Sequence, residues 1–505
     1  MKVLIANRGE IAVRLMRACR ELGLGTVAVY SDCDRSALHV RTADEAYHIG
    51  PSPAAESYLR IDRLIDVARR SGARFVHPGY GFLAENEDFA QACVDAGLTF
   101  VGPRPEVIQR MGSKTAARQA AIAAGVPVVP GMESPFAADA SDAAMAVEAD
   151  RIGYPLVVKA VAGGGGKGMR TVDRPADLAA AIRTARSEAG SAFGDSAVYL
   201  ERRIVKPRHI EIQLLGDEHG TVIPFVEREC SIQRRHQKVV EESPSPVLDP
   251  ATRQAMADCA AAVARGVGYS SAGTIEFLLD ADGKFYFLEM NTRLQVEHPI
   301  TEMVTGIDLV HWQLRIAQGE RLTIDPARAV TPRAHAIECR VYAEDPDLGF
   351  MPSPGLVRAL SVPSGPGVRD DRGVAAGFEI PVFYDSMISK LITWGDTRTD
   401  AIARMRRALD EYRVAGVKTT LPFFRWLLAE DAFARADFDT TYLDRILASR
   451  AGEVFVSAAP QDEQDAAVSV ALASWFRAHR AVAAPASAGG AWRRAARTEA
   501  TRQQP

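Results

Sequence analysis

The chain has 505 residues, 47% hydrophobic and 25% charged, with a formal net charge of -4. That length accommodates two to four domains with a sizeable core. The small net charge gives no electrostatic basis for nucleic acid as the main partner, and no apolar run is long enough to span a bilayer.

Residues 1–113 alternate strand and helix. Lys2–Ala6 is a short apolar strand cut off by Asn7-Arg8-Gly9-Glu10, so it reads as a first strand and not as a signal peptide. Helical periodicity covers Glu10–Leu22, Ile61–Ser71 and Asn86–Ala96, and strands are expected at Thr26–Tyr30, Phe75–His77 and Thr99–Val101. This is the βαβ pattern of an open parallel sheet. His77-Pro78-Gly79-Tyr80-Gly81 is a turn-rich loop at a strand end, either a ligand loop or plain turn chemistry.

Residues from about 114 to 205 read as a second unit. Pro155–Ala160 is a buried strand, and Gly163–Gly166 with Lys167 and Gly168 precede the strand Met169–Val172. Because a strand and not a helix follows the glycines, the dinucleotide fingerprint does not apply. What remains is a glycine loop between strands whose bare N–H groups can close over a phosphate chain, against the blander alternative of a linker. His209–Leu215 alternates as a half-buried strand, and Glu229–Lys238 is a basic run offering Gln233, His236 and Lys238 as donors to anionic oxygens. The plain alternative for such a run is a solvated face.

Thr274–Thr301 is the most informative stretch. It reads as a hairpin turning at Asp280–Gly283. Pairing Leu279 with Lys284 sets Glu276 opposite Phe287, with Glu289 its diagonal neighbour on the same face. Two acids and Asn291 make a hard oxygen site suited to Mg²⁺. Arg293, Gln295, Glu297 and His298 follow directly. The alternative is an edge hairpin with solvated charges.

Helices are expected at Ala251–Val267 and Gly306–Ala317. Residues 331–447 read as an α+β unit with strands Ala334–Tyr342 and Ile388–Trp394 and the helix Asp400–Tyr412; Arg340 projects from the first strand. In the tail, 448–505, Asp465–Arg480 reads as one helix with Val468, Leu472, Trp475 and Phe476 on a stripe, and the chain beyond it is expected to be disordered. Six scattered cysteines form no C-x-x-C pair, which fits a reducing cytoplasm.

Five motifs in this order resemble biotin carboxylase: ANRGEIAVR at 6–14, HPGYGFLAEN at 77–86, GGGGKGM at 163–169, RRHQKVVEE at 234–242 and EMNTRLQVEHPITE at 289–302. The similarity spans about residues 1–447. It implies an α/β multidomain fold: a Rossmann-like pre-ATP-grasp domain (1–113), an ATP-grasp domain with a glycine-rich lid (114–330) and a C-terminal α+β domain (331–447). It also implies the reaction of ATP, bicarbonate and biotin to ADP, phosphate and N-carboxybiotin. By that resemblance Lys114 and Lys159 hold ATP phosphates, and Gly164, Gly165 and Gly166 cover them. Glu201, Arg202, Arg203 and Ile204 bracket the adenine, with His209, Gln233 and His236 nearby. Glu276, Glu289 and Asn291 bind Mg²⁺ or Mn²⁺, as two ions. Lys238, Arg293, Gln295 and Val296 hold bicarbonate, Glu297 is its base, and Arg340 faces the ureido oxygen of biotin. The implied partners are a biotin carboxyl carrier protein, a carboxyltransferase and a second copy of the chain, with no nucleic acid and no membrane.

The chain departs from the family pattern at three points. Val161 and Ala162 precede the lid where a small hydroxyl residue and glycine are common, and Arg202 stands where lysine is frequent. The third is the missing Ala-Met-Lys-Met biotinylation motif, since no methionine follows Met405, so biotin is expected on another polypeptide or as the free molecule. Two competing readings are another ATP-grasp ligase of carbamoyl-phosphate type and a non-catalytic nucleotide-binding assembly subunit.

Overall fold

Short β-branched runs separated by amphipathic helices build the first layer. In the computed structural model, which describes residues 1–132, 136, 141–161, 169–193, 196–450, 452–455 and 460–479, five parallel strands form one sheet. They are β1 (Lys2–Ile5), β2 (Gly25–Ser31), β3 (Glu45–Gly50), β4 (Phe75–His77) and β5 (Thr99–Phe100), in the order β3-β2-β1-β4-β5. Parallel neighbours need crossovers, and the helices Gly9–Glu21, Ile61–Ser71 and Glu87–Asp95 are the main ones. The sequence pattern misses β3, because only Ile49 and Gly50 of that edge strand are buried.

β6 (Leu156–Ala160), β7 (Met169–Val172) and β8 (Val198–Arg202) form a small antiparallel sheet, ordered β7-β6-β8, with the helix Leu178–Phe193 on one face. Gly164, Gly165 and Gly166, between β6 and β7, lie outside the described residues.

The largest sheet is antiparallel and nine-stranded. Its path is β14 (Phe285–Asn291), β13 (Ser271–Leu279), β9 (Arg208–Gly216), β11 (Arg228–Arg234), β12 (Gln237–Ser243) and β15 (His335–Tyr342). Met387–Gly395 and Val368–Arg372 complete it, and β10 (Val222–Pro224) pairs with β9. Because β12 pairs with β15, this sheet runs unbroken from the 114–330 region into the 331–447 region.

Two expectations are corrected here. β9 is not half-buried: every residue from His209 to Gly216 is buried. Its alternation separates apolar Ile210, Ile212 and Leu214, packed in a core cluster with the helix Pro250–Gly266, from Glu211 and Gln213, which face a buried polar network and not water. The second correction is the hairpin register. Leu279 pairs with Phe285, not Lys284, because Asp280–Lys284 closes as one loop: Asp280 N–H donates to the Lys284 carbonyl at 2.8 Å. Gly283 turns that loop at φ 77°, where a Cβ would be strained. In that register Glu276 would face Leu288, and Glu289 would point to the other side of the sheet. A bulge at Leu288 absorbs one residue and sets Glu289 directly opposite Glu276.

The helix expected at Gly306–Ala317 starts three residues later, at Leu309. His298–Thr305 ends on Gly306 at φ 67°, and Leu309–Ala317 starts afresh with the Asp308 side chain capping His311 N–H.

Residues from Val454 form a separate unit, described by the helix Pro460–Ala478, on which Val468, Leu472, Trp475 and Phe476 are between 52% and 61% exposed. Among the described residues no helix is long and apolar enough to cross a membrane. The core clusters described all lie within residues 1–453. With the apolar stripe of the helix Pro460–Ala478 more than half exposed, truncation after Phe455 is expected to leave the urea midpoint unchanged, measured by tryptophan fluorescence; a clear drop would show that this helix adds to stability.

Candidate active site

A cavity of about 400 Å³ opens between the small sheet and the large one. β13 and β14 supply Glu276, Glu289 and Asn291 to its wall, and the turn after β14 supplies Arg293, Gln295, Val296 and Glu297. Lys238 comes from β12, Arg340 from β15, and His209 and Gln233 from β9 and β11. His236, in the β11–β12 turn, joins the wall with Lys159 and Glu201 from β6 and β8. Lys114 enters at the first turn of the helix Lys114–Ala123. Arg202, Arg203 and Ile204 do not line it. The Arg202 N–H donates to the Pro130 carbonyl, and Arg203 turns to Asp173 at 3.1 Å.

Lys238 is the centre of the charge pattern. Its Nζ donates to Glu211 Oε2 at 2.5 Å, Glu297 Oε1 at 2.7 Å and Glu276 Oε1 at 2.9 Å. Burial disfavours its charge, but the three carboxylates reverse that and hold its pKa well above the usual lysine range. Glu297 also accepts from Arg340 Nη2 at 2.9 Å. Burial would raise this carboxyl; Lys238, Arg340 and Arg228 outweigh it and hold Glu297 well below the usual range, as an anion.

Glu276 is heavily engaged. Oε1 accepts from Lys238, Gln295 Nε2 at 2.9 Å and Asn291 Nδ2 at 3.0 Å, and Oε2 lies 3.1 Å from His209 Nε2. Its directly opposed neighbour Glu289 is raised by burial and by the charge on Glu276. A divalent cation held by Glu276, Glu289 and Asn291 would relieve that repulsion, and an all-oxygen donor set suits Mg²⁺.

Arg293 is anchored at its Nε to Glu85 at 2.8 Å and at its Nη2 to Asn291 Oδ1 at 3.0 Å. Lys159 and Glu201 are paired with each other across β6 and β8, and Arg118 reaches Glu201 at 3.5 Å. The Glu201 carboxylate thus has two cationic partners here.

Sequence reasoning missed Arg228, whose side chain is fully buried. Its Nε donates to Glu211; Nη1 donates to Gln213 at 2.8 Å and Thr301 at 2.9 Å; Nη2 donates to Gln295 Oε1 at 2.7 Å and Thr274 at 3.2 Å. One planar fork fixes both the partner of Lys238 and the amide orientation of Gln295. Glu85 and Glu211 were also missed. The available signals were the place of Glu85 inside the HPGYGFLAEN motif and the two-residue spacing of Glu211 from His209 on one strand face.

Comparison with known proteins follows the same division of the chain. The family profile described as Biotin carboxylase, N-terminal domain, matches residues 1–108. That described as Carbamoyl-phosphate synthase L chain, ATP binding domain, matches 113–325, and Biotin carboxylase C-terminal domain matches 338–445. The chain is 50% identical over 445 residues to biotin carboxylase of Nostoc sp., covering 88% of this chain and 99% of that one. It is also 50% identical over 447 residues to biotin carboxylase of Pseudomonas aeruginosa, covering 88% and 98%. Among solved structures, the biotin carboxylase domain dimer of Hydrogenobacter thermophilus 2-oxoglutarate carboxylase, in complex with MgADP, ADP and bicarbonate, superposes with a TM-score of 0.84 at 46% identity. That match covers 91% of this chain and 99% of the other.

Arg228→Met would leave Glu211 with one cation fewer in a dry site. The expected loss is about 3–5 kcal/mol of unfolding free energy, read from urea denaturation; a change below about 1 kcal/mol would contradict the organising role.

Proposed function

The chain belongs to the biotin carboxylase family, and on that premise we propose that it uses ATP and bicarbonate to carboxylate biotin, the first half-reaction of a biotin-dependent carboxylase. The observation that carries this reading is the convergence of Lys238, Arg293, Glu297 and Arg340 on the cavity that Glu276 and Glu289 also line.

Lys114 and Lys159 would take the ATP phosphates, with Gly164, Gly165 and Gly166 closing over them. Glu201 with Arg202, Arg203 and Ile204 would lie on the adenine side, near His209, Gln233 and His236. Glu276, Glu289 and Asn291 would hold Mg²⁺ or Mn²⁺, as two ions, whose chemistry is to neutralise charge on the phosphate oxygens. Bicarbonate would lie against Lys238, Arg293, Gln295 and the backbone at Val296.

Glu297 then accepts the O–H proton of bicarbonate. The freed oxygen attacks the γ-phosphorus, the bond to ADP breaks, and carboxyphosphate forms. Closure excludes water from this labile intermediate. It releases CO₂ and phosphate; the phosphate takes the N1′ proton of biotin, and N1′ bonds to CO₂. Arg340 donates to the ureido oxygen as negative charge builds there. Glu297 starts as a weak base because Lys238 and Arg340 hold it. Bicarbonate draws on the charge of Lys238 and biotin on that of Arg340, and each step raises the proton affinity of Glu297.

Biotin is proposed to arrive on a biotin carboxyl carrier protein and to leave for a carboxyltransferase, and the likeness to a dimeric structure supports a homodimer. The six cysteines are free thiols, which suits a reducing cytoplasm. Another ATP-grasp ligase is the second reading, favoured by the description of the profile matching 113–325. It leaves Arg340 without a role, since that residue lies in the segment matched by the biotin carboxylase C-terminal profile.

ATP hydrolysis by the full chain is expected to require bicarbonate and to be stimulated by free biotin; hydrolysis indifferent to biotin would overturn the proposal. Glu297→Gln is expected to lose about 10²–10⁴-fold in turnover while retaining nucleotide binding by calorimetry, and unchanged turnover would remove the assigned base.

A further inference from the structure

Two buried carboxyl groups beside Arg340 take no part in the chemistry above. β12 and β15 pair with Glu241 directly opposite Glu338, so both side chains project from one face of the sheet. Arg340, two residues beyond Glu338, shares that face. Both glutamates are 0% exposed. Among the described residues neither oxygen of Glu338 has a hydrogen-bond donor, and the oxygens of Glu241 have none in hydrogen-bond alignment. Glu241 Oε1 does approach Arg340 Nη2 to 2.6 Å, as an ion pair without hydrogen-bond alignment.

Other charges facing the pair are already committed. Lys390, opposite Arg340 on the strand Met387–Gly395, donates to the Val296 carbonyl at 3.0 Å and lies 3.2 Å from Glu10. Lys238 serves Glu211, Glu276 and Glu297. The helix His298–Thr305, packed over this face, carries His298, which burial keeps neutral, and Glu302, paired with Arg14 and Arg369. Among the described residues Arg340 is the one cation paired with either acid, Lys390 acting on Glu338 through space alone, and Glu297 competes for it. Two adjacent buried carboxyls do not both ionise under those conditions. A proton on one gives its partner the hydrogen bond that both lack.

We propose that Glu241 and Glu338 hold a single proton between them and act as positioning residues for Arg340, leaving it one internal counter-charge so that the guanidinium can turn from Glu297 to the ureido oxygen of biotin. When Glu297 takes its proton, Arg340 loses one anionic partner, and Glu241 remains to hold it. Were Glu338 also ionised, the second anion would draw the guanidinium inward and cancel its field at biotin. The inference rests on the biotin carboxylase reading, through the role it gives Arg340.

The direction of the pH effect follows. Burial pushes Glu241 up to about 7, and burial with the Glu241 charge pushes Glu338 well above the ordinary carboxylate range. The pair keeps its proton at neutral pH and loses it on the alkaline side, and biotin use falls with it.

The test is kcat/KM for free biotin against pH, in the full chain and in Glu338→Gln. The unmodified chain is expected to show an alkaline limb of about tenfold per pH unit, the slope for loss of one proton. Glu338→Gln, whose amide cannot ionise, is expected to lose that limb or move it to higher pH, whatever its absolute rate. An alkaline limb at the same pH in both would overturn the pair. Should the Gln variant fail to fold, Glu338→Ala answers the same question, since it too removes the ionisable group. A carboxylic-acid infrared band present in the unmodified chain at neutral pH and missing from either variant would support the pair independently. Absence of biotin-dependent turnover in the unmodified chain removes the functional reading and the inference with it, whereas turnover with an unmoved limb removes the inference alone.

Discussion

A single ammonium group buried among three carboxylates holds this molecule to its purpose. Lys238 gathers Glu211, Glu276 and Glu297, side chains from two further strands and a turn, onto one point. In a dry interior those anions would repel one another, and the cost of leaving any of them unpaired is several kcal/mol. The arrangement is strained in a useful sense. Lysines and arginines outnumber acids along the cavity wall, which suits an anionic substrate, while the opposed acids Glu276 and Glu289 suit the cation that a metal-bound nucleotide would bring. A small anion that draws on Lys238 and Arg293 would then loosen the hold on Glu297 and, on the proposed reading, convert it from a fixed counter-ion into a base.

The rest of the fold serves that point. The bulge at Leu288 turns Glu289 toward Glu276, and Arg228 locks Glu211 and Gln295 in one plane. Buried ion pairs tie distant segments together. Arg14, on the helix Gly9–Glu21, meets Glu302 at 2.9 Å; Arg369 joins Glu302 at 2.7 Å and Asp371 at 2.6 Å. Glu10 of the same first helix meets Lys390, which holds the Val296 carbonyl beside Glu297. Segments far apart in sequence thus fix a turn of a few residues, which explains why the site needs most of the chain.

Much of this was legible in the residues alone. The helix Ile61–Ser71 and the strands Phe75–His77 and Met169–Val172 fall where periodicity and turn residues place them. The cavity gathers Lys114, Lys238, Glu276, Glu289, Arg293, Glu297 and Arg340 as the motifs suggest. The misses have physical causes. A bulge changes pairing without changing composition, so the register of β13 and β14 could not be counted from the turn. β9 alternates as a surface strand does, yet its polar side chains Glu211 and Gln213 meet the buried Arg228 and not solvent. Arg228 and Glu338 carry no local signal at all, because their meaning comes from partners tens to hundreds of residues away.

The most direct test is the bicarbonate dependence of ATP hydrolysis in Lys238→Gln, set beside nucleotide binding in the same variant. The account predicts that bicarbonate saturation weakens by about tenfold or more, the scale of one lost charge-assisted contact of about 1.5–3 kcal/mol, with nucleotide affinity nearly unchanged. Unchanged bicarbonate dependence, or an equal loss of both, would contradict it.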